Sequence, residues 1–182
     1  MIAAIGASRA MSGAGCALRP WWLPRKRSEV SAGAADRNPG DVELVEAAYE
    51  LALDRSDPKR TERSIDAFIE LMSDSVVFVP EGGAATPYQG RSAVRRLLAD
   101  AAEQWESLRY EVDDIVDLGG GDLIACGKVV AQLDDGRRIE IPYVNRWTIE
   151  AGRAVRIDSF SDRDEAQEAF DRQGTRASRA AP

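Results

Sequence analysis

Residues 139–162, IEIPYVNRWTIEAGRAVRIDSFSD, constrain the fold more than any other stretch of the chain. Side chains on a strand alternate between its faces, so Ile139, Ile141, Tyr143, Asn145, Trp147 and Ile149 share one side. Glu140, Pro142, Val144, Arg146 and Thr148 share the other. A short turn at Ala151 and Gly152 then starts a second strand, Ala154 to Ser161. An apolar face bearing one amide and one phenol is what a sheet lining a small-molecule cavity presents. A plain half-buried strand with Asn145 hydrogen-bonded inside the core presents the same pattern, because buried amides find partners with or without a ligand.

Hairpin signals extend this pair upstream. DDGR links the first limb to DLIACGKVVAQL, and the turn GGGD links that strand to LRYEVDDIVDL, where Tyr110, Val112 and Asp114 alternate to one side. Four strands therefore form an antiparallel meander. Ahead of it lie three helical segments and one further strand. Asp41 is placed to cap a helix through about Asp54, with Val42, Val45, Tyr49, Ala52 and Leu53 on one stripe. Pro58 marks a loop, and Thr61 caps a helix from Glu62 to Met72 bearing Ile65, Phe68, Ile69 and Met72. Ser75 to Val79 form a strand, and after the loop EGGAATPYQGRS, Ser92 caps a third helix to about Glu106, with Trp105 turned inward. Asp162 starts a short closing helix, DRDEAQEAFDR. Helices gathered before hairpin-linked strands give an α+β domain with helices on one face of a curved antiparallel sheet.

A chain of 182 residues with 44% hydrophobic content supports one domain with a true core. Residues 1–40 and 171–182 read as disordered tails around a domain at 41–170. The first tail lacks the unbroken apolar centre of a signal peptide and carries two adjacent indoles, Trp21 and Trp22, that could dock on a partner or on the body, while a true start at Met11 or later explains them equally; its run Arg25, Lys26, Arg27 reads as a solvated segment rather than a binding patch. The tails hold six and three Lys/Arg against two and one acids, so the body is more acidic than the whole chain's −7. Such a surface repels phosphate backbones, which argues against nucleic acid, and no apolar run reaches the roughly 18 residues of a membrane span. Cys16 and Cys126 form neither a disulfide framework nor a metal signature, and the chain reads as cytosolic. Histidine is absent, which removes imidazole acid/base chemistry and His-based triads and metal sites. The loop glycines lack the spacing of phosphate-binding fingerprints.

The order of elements, VVFVP followed by YQGRSAVRRLL, NRWTIEAGRAVRIDSFSD and the closing DRDEAQEAF together resemble the SnoaL-like branch of the nuclear transport factor 2-like superfamily, over about 42–170. The resemblance implies a cone: a curved sheet with three N-terminal helices on its concave face, a short C-terminal helix, and a hydrophobic pocket between them. It implies a small hydrophobic molecule as partner, no cofactor, and a homodimer formed through the sheet.

The family's enzymes include polyketide cyclases, ketosteroid isomerases, dehydratases and limonene-type epoxide hydrolases. The epoxide hydrolases need an Arg-x-Asp pair where this chain has Leu123, Ile124 and Ala125, and an aspartate where it has Ser159. The dehydratases rely on histidine. What remains is carboxylate proton transfer, as in the cyclases and isomerases, with Asp162 or Asp158 as acid/base and Tyr143 or Tyr88 hydrogen-bonding a developing enolate. Against this, Asp162 is well placed merely to cap the last helix, and alternation sends Asp158 to the face opposite Ile157 and Ser159. Tyr143, Asn145, Trp147 and Ser159 are the candidate cavity wall, with Tyr88, Tyr49, Trp105 and Phe78 as core aromatics that could also line it. Arg146 falls on the outer face, where an ion pair with Glu140 is expected. Two functions stay open: a cofactor-independent isomerase or cyclase, and a non-catalytic module that sequesters a ligand or dimerises.

Overall fold

The computed structural model describes residues 39–81, 86–160 and 162–170. The first expected tail apart from residues 39 and 40, the whole of the second, residue 161 and residues 82–85 of the glycine-bearing loop lie outside the described residues. In chain order the elements are α1 (Pro39–Tyr49), β1 (Ala52–Asp54), α2 (Pro58–Glu70), β2 (Met72–Val79), β3 (Tyr88–Gln89), α3 (Arg91–Gln104), β4 (Ser107–Gly119), β5 (Asp122–Gln132), β6 (Arg138–Glu150), β7 (Arg153–Phe160) and α4 (163–170). The strands form one sheet in the order β1-β4-β5-β6-β7-β2-β3. The expected antiparallel meander is β4 to β7, with β5 and β6 in register from Asp122↔Thr148 to Gln132↔Arg138. The sheet is mixed, because β2 runs parallel to β7.

Three helix boundaries differ from expectation, each for a local reason. The first helix stops at Tyr49, and Ala52–Asp54 becomes β1, pairing Leu53 with Leu108 along the edge of β4. Pro58 opens α2 rather than breaking the chain, since a first-turn proline has a preset φ and no N–H to lose. Asp57 supplies the cap, accepting the Arg60 N–H at 3.0 Å. Thr61 is buried within α2, where its hydroxyl donates to the Asp54 carbonyl and accepts the Asp54 N–H, both at 2.8 Å. That pair ties helix to edge strand. Ser92 caps nothing: α3 begins after Gly90, whose φ of +80° turns the chain so that its N–H meets the Val76 carbonyl at 2.7 Å.

The inward face of β6 is as alternation implies. Tyr143, Asn145 and Trp147 stand opposite Gly127, Ala125 and Leu123; Tyr143 and Trp147 belong to the main core with α1, α2 and α3, and Asn145 is buried beside them. On β4 the alternation fails, because a bulge between Val112 and Asp114 shifts the register. Tyr110 and Val112 stay on the inner side, opposite Val129 and Gly127, while Asp114 turns outward and accepts from Arg163 of α4 at 3.1 Å.

The outer face has two halves. Over one of them α4 lays Ala166 against Ile124 and Val144. Arg146 does lie on this face, but buried, with a side chain only 4% exposed. Its Nε and Nη2 donate to Asp122 at 3.0 and 2.7 Å, and the Phe170 ring covers its guanidinium at 5.4 Å. The expected pair with Glu140 is not formed, because Glu140 sits six residues away along the strand and bonds Lys128 at 2.9 Å and Arg138 at 2.8 Å. That second half is a solvated ion ladder, Arg109–Glu111–Lys128–Glu140–Arg138.

Candidate functional site

The concave side of the sheet closes on a hollow shared by seven elements. Tyr49 comes from α1, Phe68 from α2, Phe78 from β2 and Val94, Leu97 and Leu98 from α3. Tyr110 comes from β4, Asn145 and Trp147 from β6 and Ile157 from β7. Its free volume is about 30 Å³, room for roughly one water. The aromatic side chains thus fill the cone themselves.

One polar cluster stands at this wall. The Tyr49 hydroxyl accepts from Asn145 Nδ2 and from Trp147 Nε1, each at 2.9 Å, and the Asn145 Oδ1 accepts from the Ser159 hydroxyl at 3.0 Å. Strands β6 and β7 position three of the four groups, since Asn145 and Ser159 are register partners. Around the cluster Tyr143 stacks on Tyr49 at 5.1 Å between centroids, and Tyr110 tilts against both rings at 5.4 and 5.6 Å. Trp147 meets Tyr49 edge-on at 5.6 Å. Burial pushes the hydroxyl pKa of Tyr49, Tyr110 and Tyr143 up, because a phenolate would lose its hydration there. All three are neutral phenols over any physiological range. The Tyr143 Oη is buried and has no hydrogen-bond partner, and the same holds for Trp105 Nε1.

A second, open hollow of about 510 Å³ lies between α1 and β4. Val42, Tyr49, Val112 and Ile115 give it an apolar floor, and Glu46, Glu50, Asp113 and Asp114 surround it with carboxylates. Tyr49 is a wall of both hollows.

The structure therefore brings Tyr49, Phe78, Asn145 and Trp147 together at one hollow, with Ser159 behind Asn145 and Tyr143 behind Tyr49. Tyr88 is half-buried on β3, its ring 6.2 Å from Phe78, outside the lining. Trp105 is buried at the end of α3 and does not line it either. Neither aspartate reaches the hollow. Asp158 is on the outer face, opposite Arg146 in register, and its carboxylate accepts from Arg156 Nε and Nη2 at 2.7 to 3.0 Å. Asp162 is exposed and caps α4 by accepting the Glu165 N–H at 2.8 Å. None of the ten residues around the hollow is acidic. Cys126 is half-buried on the outer face, where burial pushes its thiol up, the opposite of nucleophile activation.

Sequence reasoning passed over Tyr110 and Phe68 as site residues, although both were already on inward positions of their elements. It had no means of finding the cleft, which depends on the bulge at Asp113. Among the described residues no group of three His, Cys, Asp or Glu is arranged to hold a metal ion, and no helix is long and apolar enough to cross a membrane.

The sequence profile of the SnoaL-like domain matches residues 45–157. Solved structures share the fold. An NTF2-like protein of unknown function from Burkholderia pseudomallei K96243 is 17% identical with a TM-score of 0.55, covering 71% of this chain and 95% of its own. A protein from Jannaschia sp. CCS1, provisionally named a SnoaL-like polyketide cyclase, is 16% identical with a TM-score of 0.56, covering 69% and 89%. TerC, co-crystallized with polyporic acid, is 18% identical with a TM-score of 0.54, covering 71% and 96%. No curated protein matches the chain in sequence.

Proposed function

The chain belongs to the SnoaL-like domain family, and on that premise we propose that its cone binds a small, neutral, hydrophobic molecule without transforming it. The observation that carries this reading is the hollow on the concave face. Its lining is apolar and aromatic except for the Tyr49, Asn145 and Trp147 cluster, and it holds no carboxylate. Proton transfer needs a group that exchanges its proton near neutrality; burial keeps the Tyr49 and Tyr110 phenols neutral, and both candidate aspartates have structural partners elsewhere. Ligand co-crystallised with TerC supports small-molecule binding as a use of this fold. Because the hollow is nearly filled, a ligand gains its place by displacing a ring, and Tyr49, the wall common to hollow and cleft, is the side chain whose movement joins them.

The test is a thermal-shift screen of neutral apolar carbonyl compounds, steroid, polyketide-like and terpenoid, with each hit followed by the NMR signal of the Trp147 indole N–H and by turnover assay. Hits move that signal, weaken at least tenfold in Trp147→Ala or Asn145→Ala, and are recovered unchanged. Hits indifferent to both substitutions would refute the site. Turnover of a hit would refute the non-catalytic part and restore the isomerase or cyclase reading.

A further inference from the structure

We infer that the cleft between α1 and β4 is the docking site of the chain's own N-terminal segment, Trp21–Arg27. Three features of the cleft define what fits it. Glu46, Glu50 and Asp113 are exposed and have no ion-pair partner among the described residues, while Asp114 shares its charge with Arg163. Val112, the large hydrophobic residue left 39% exposed among the described residues, forms part of the floor beside Val42, Tyr49 and Ile115. The occupant must therefore bring both positive charge and apolar surface.

Trp21, Trp22, Arg25, Lys26 and Arg27 bring both within seven positions. The segment that contains them, residues 1–38, holds six Lys/Arg against two acids. It is also tied to the cleft, because it joins the described structure at Pro39, the first residue of α1, and α1 is one wall. The residues between Arg27 and Pro39 reach up to roughly 40 Å when extended, more than twice the ~16 Å length of α1. The basic group can thus fold back over Glu46 and Glu50. Tethering makes the contact intramolecular, at an effective concentration of about a millimolar, so pairwise attractions too weak to hold a free peptide are sufficient. The docking does not rest on which molecule the hollow binds, although cleft and hollow share Tyr49 as a wall.

The chain's lysines make a direct test, since there are only Lys26, Lys59 and Lys128. A zero-length carbodiimide joins an amine to a carboxylate in contact with it, and the full-length chain would be treated as an equal mixture of ¹⁴N and ¹⁵N protein. Expected are Lys26 cross-links to Glu46, Glu50 or Asp113 of the same isotope. They fall several-fold in about 0.5 M salt and in Arg25→Glu/Arg27→Glu, which keeps Lys26 and leaves every described residue unchanged. Trp21→Ala/Trp22→Ala lowers them as well. Lys128, 2.9 Å from Glu140, gives an internal control that no variant alters. Cross-links of mixed isotope would overturn the proposal in favour of a second copy as source of the segment. Cross-links scattered over distant acids, or none from Lys26 while Lys128 reacts, would overturn it outright.

Discussion

Removing one hydroxyl from either of two stacked tyrosines is expected to act in opposite directions. In Tyr49→Phe, Asn145 Nδ2 and Trp147 Nε1 lose their common acceptor, both within a core where Asn145 is 2% and Trp147 1% exposed. Each buried donor left unpaired costs about 1–3 kcal/mol. The adjoining 30 Å³ hollow has space for a single water, which can serve one of the two donors, so the expected loss is about 2 kcal/mol. For a domain of this size that lowers Tm by roughly 7 °C. In Tyr143→Phe the hydroxyl removed has no partner, and deleting an unsatisfied buried group is neutral or stabilising, within about 1 kcal/mol. Urea unfolding followed by tryptophan fluorescence measures both, and the Trp147 indole N–H signal reports the lost bond directly in Tyr49→Phe alone. A loss above about 1 kcal/mol in Tyr143→Phe, or one below it in Tyr49→Phe, would refute the assignment of partners on which the site rests.

Other outcomes follow from the same geometry. Gly127→Ala places a Cβ 2.1 Å from the Glu111 carbonyl oxygen and 3.0 Å from the Tyr143 hydroxyl, so strands β4 and β5 must part. A loss of about 3 kcal/mol or failure to fold is expected, read as soluble yield and Tm. Arg146→Met strands the partly buried Asp122, whose Oδ1 also accepts from Thr148 at 2.9 Å. We expect a loss of about 3 kcal/mol, and Arg146→Met/Asp122→Leu should recover more than half of it in the same unfolding assay. On the outer ladder, Arg109 and Lys128 hold Glu111 below its ordinary pKa, and Lys128 does the same to Glu140. Their native state binds fewer protons than the unfolded chain, so this contribution is complete above the usual glutamate range and fades as pH falls through the depressed values. The urea midpoint should drop between about pH 5 and pH 3, less steeply in Lys128→Met and in high salt. An unaltered slope in Lys128→Met would count against the ladder.

The parts of the fold that were legible in sequence are those where one face is buried and one solvated. Strand β6 runs against β5 without a register shift, so its inner residues Tyr143, Asn145 and Trp147 could be read directly, even though α4 buries part of its outer face as well. The Asp-Gly turn then fixed its pairing with β5. Where a non-local partner decides, the signal disappears. Ala52–Asp54 continues the helical stripe of α1 and becomes a strand only because β4 offers an edge. The parallel pairing of β2 with β7 leaves no trace in either segment's period. Arg146 looked like a surface residue because nothing in its own strand announces that Asp122 and Phe170 will enclose it. The bulge beside Val112 reversed the face of Asp114, which meets Arg163 of α4 instead of the core. For the site, the aromatic lining and the amide were legible, while the aspartates of the final stretch serve Arg156 and the start of α4.

Around Tyr49 the molecule separates two kinds of polarity that proton-transferring sites bring together. On the inner side stand phenols that burial keeps neutral, together with an amide and an indole that donate to Tyr49 and a serine that donates to the amide. Carboxylates there would pay a desolvation penalty with no cation to offset it. On the cleft side Glu46, Glu50 and Asp113 remain exposed to solvent. A charged ligand therefore finds no counter-charge inside the cone, and a neutral one finds apolar walls with one polar cluster to orient it. Charge recognition is left to the cleft. The division explains why a basic, tryptophan-bearing segment and a neutral small molecule can be assigned to adjacent sites of one small domain without competing for the same atoms, save those of Tyr49.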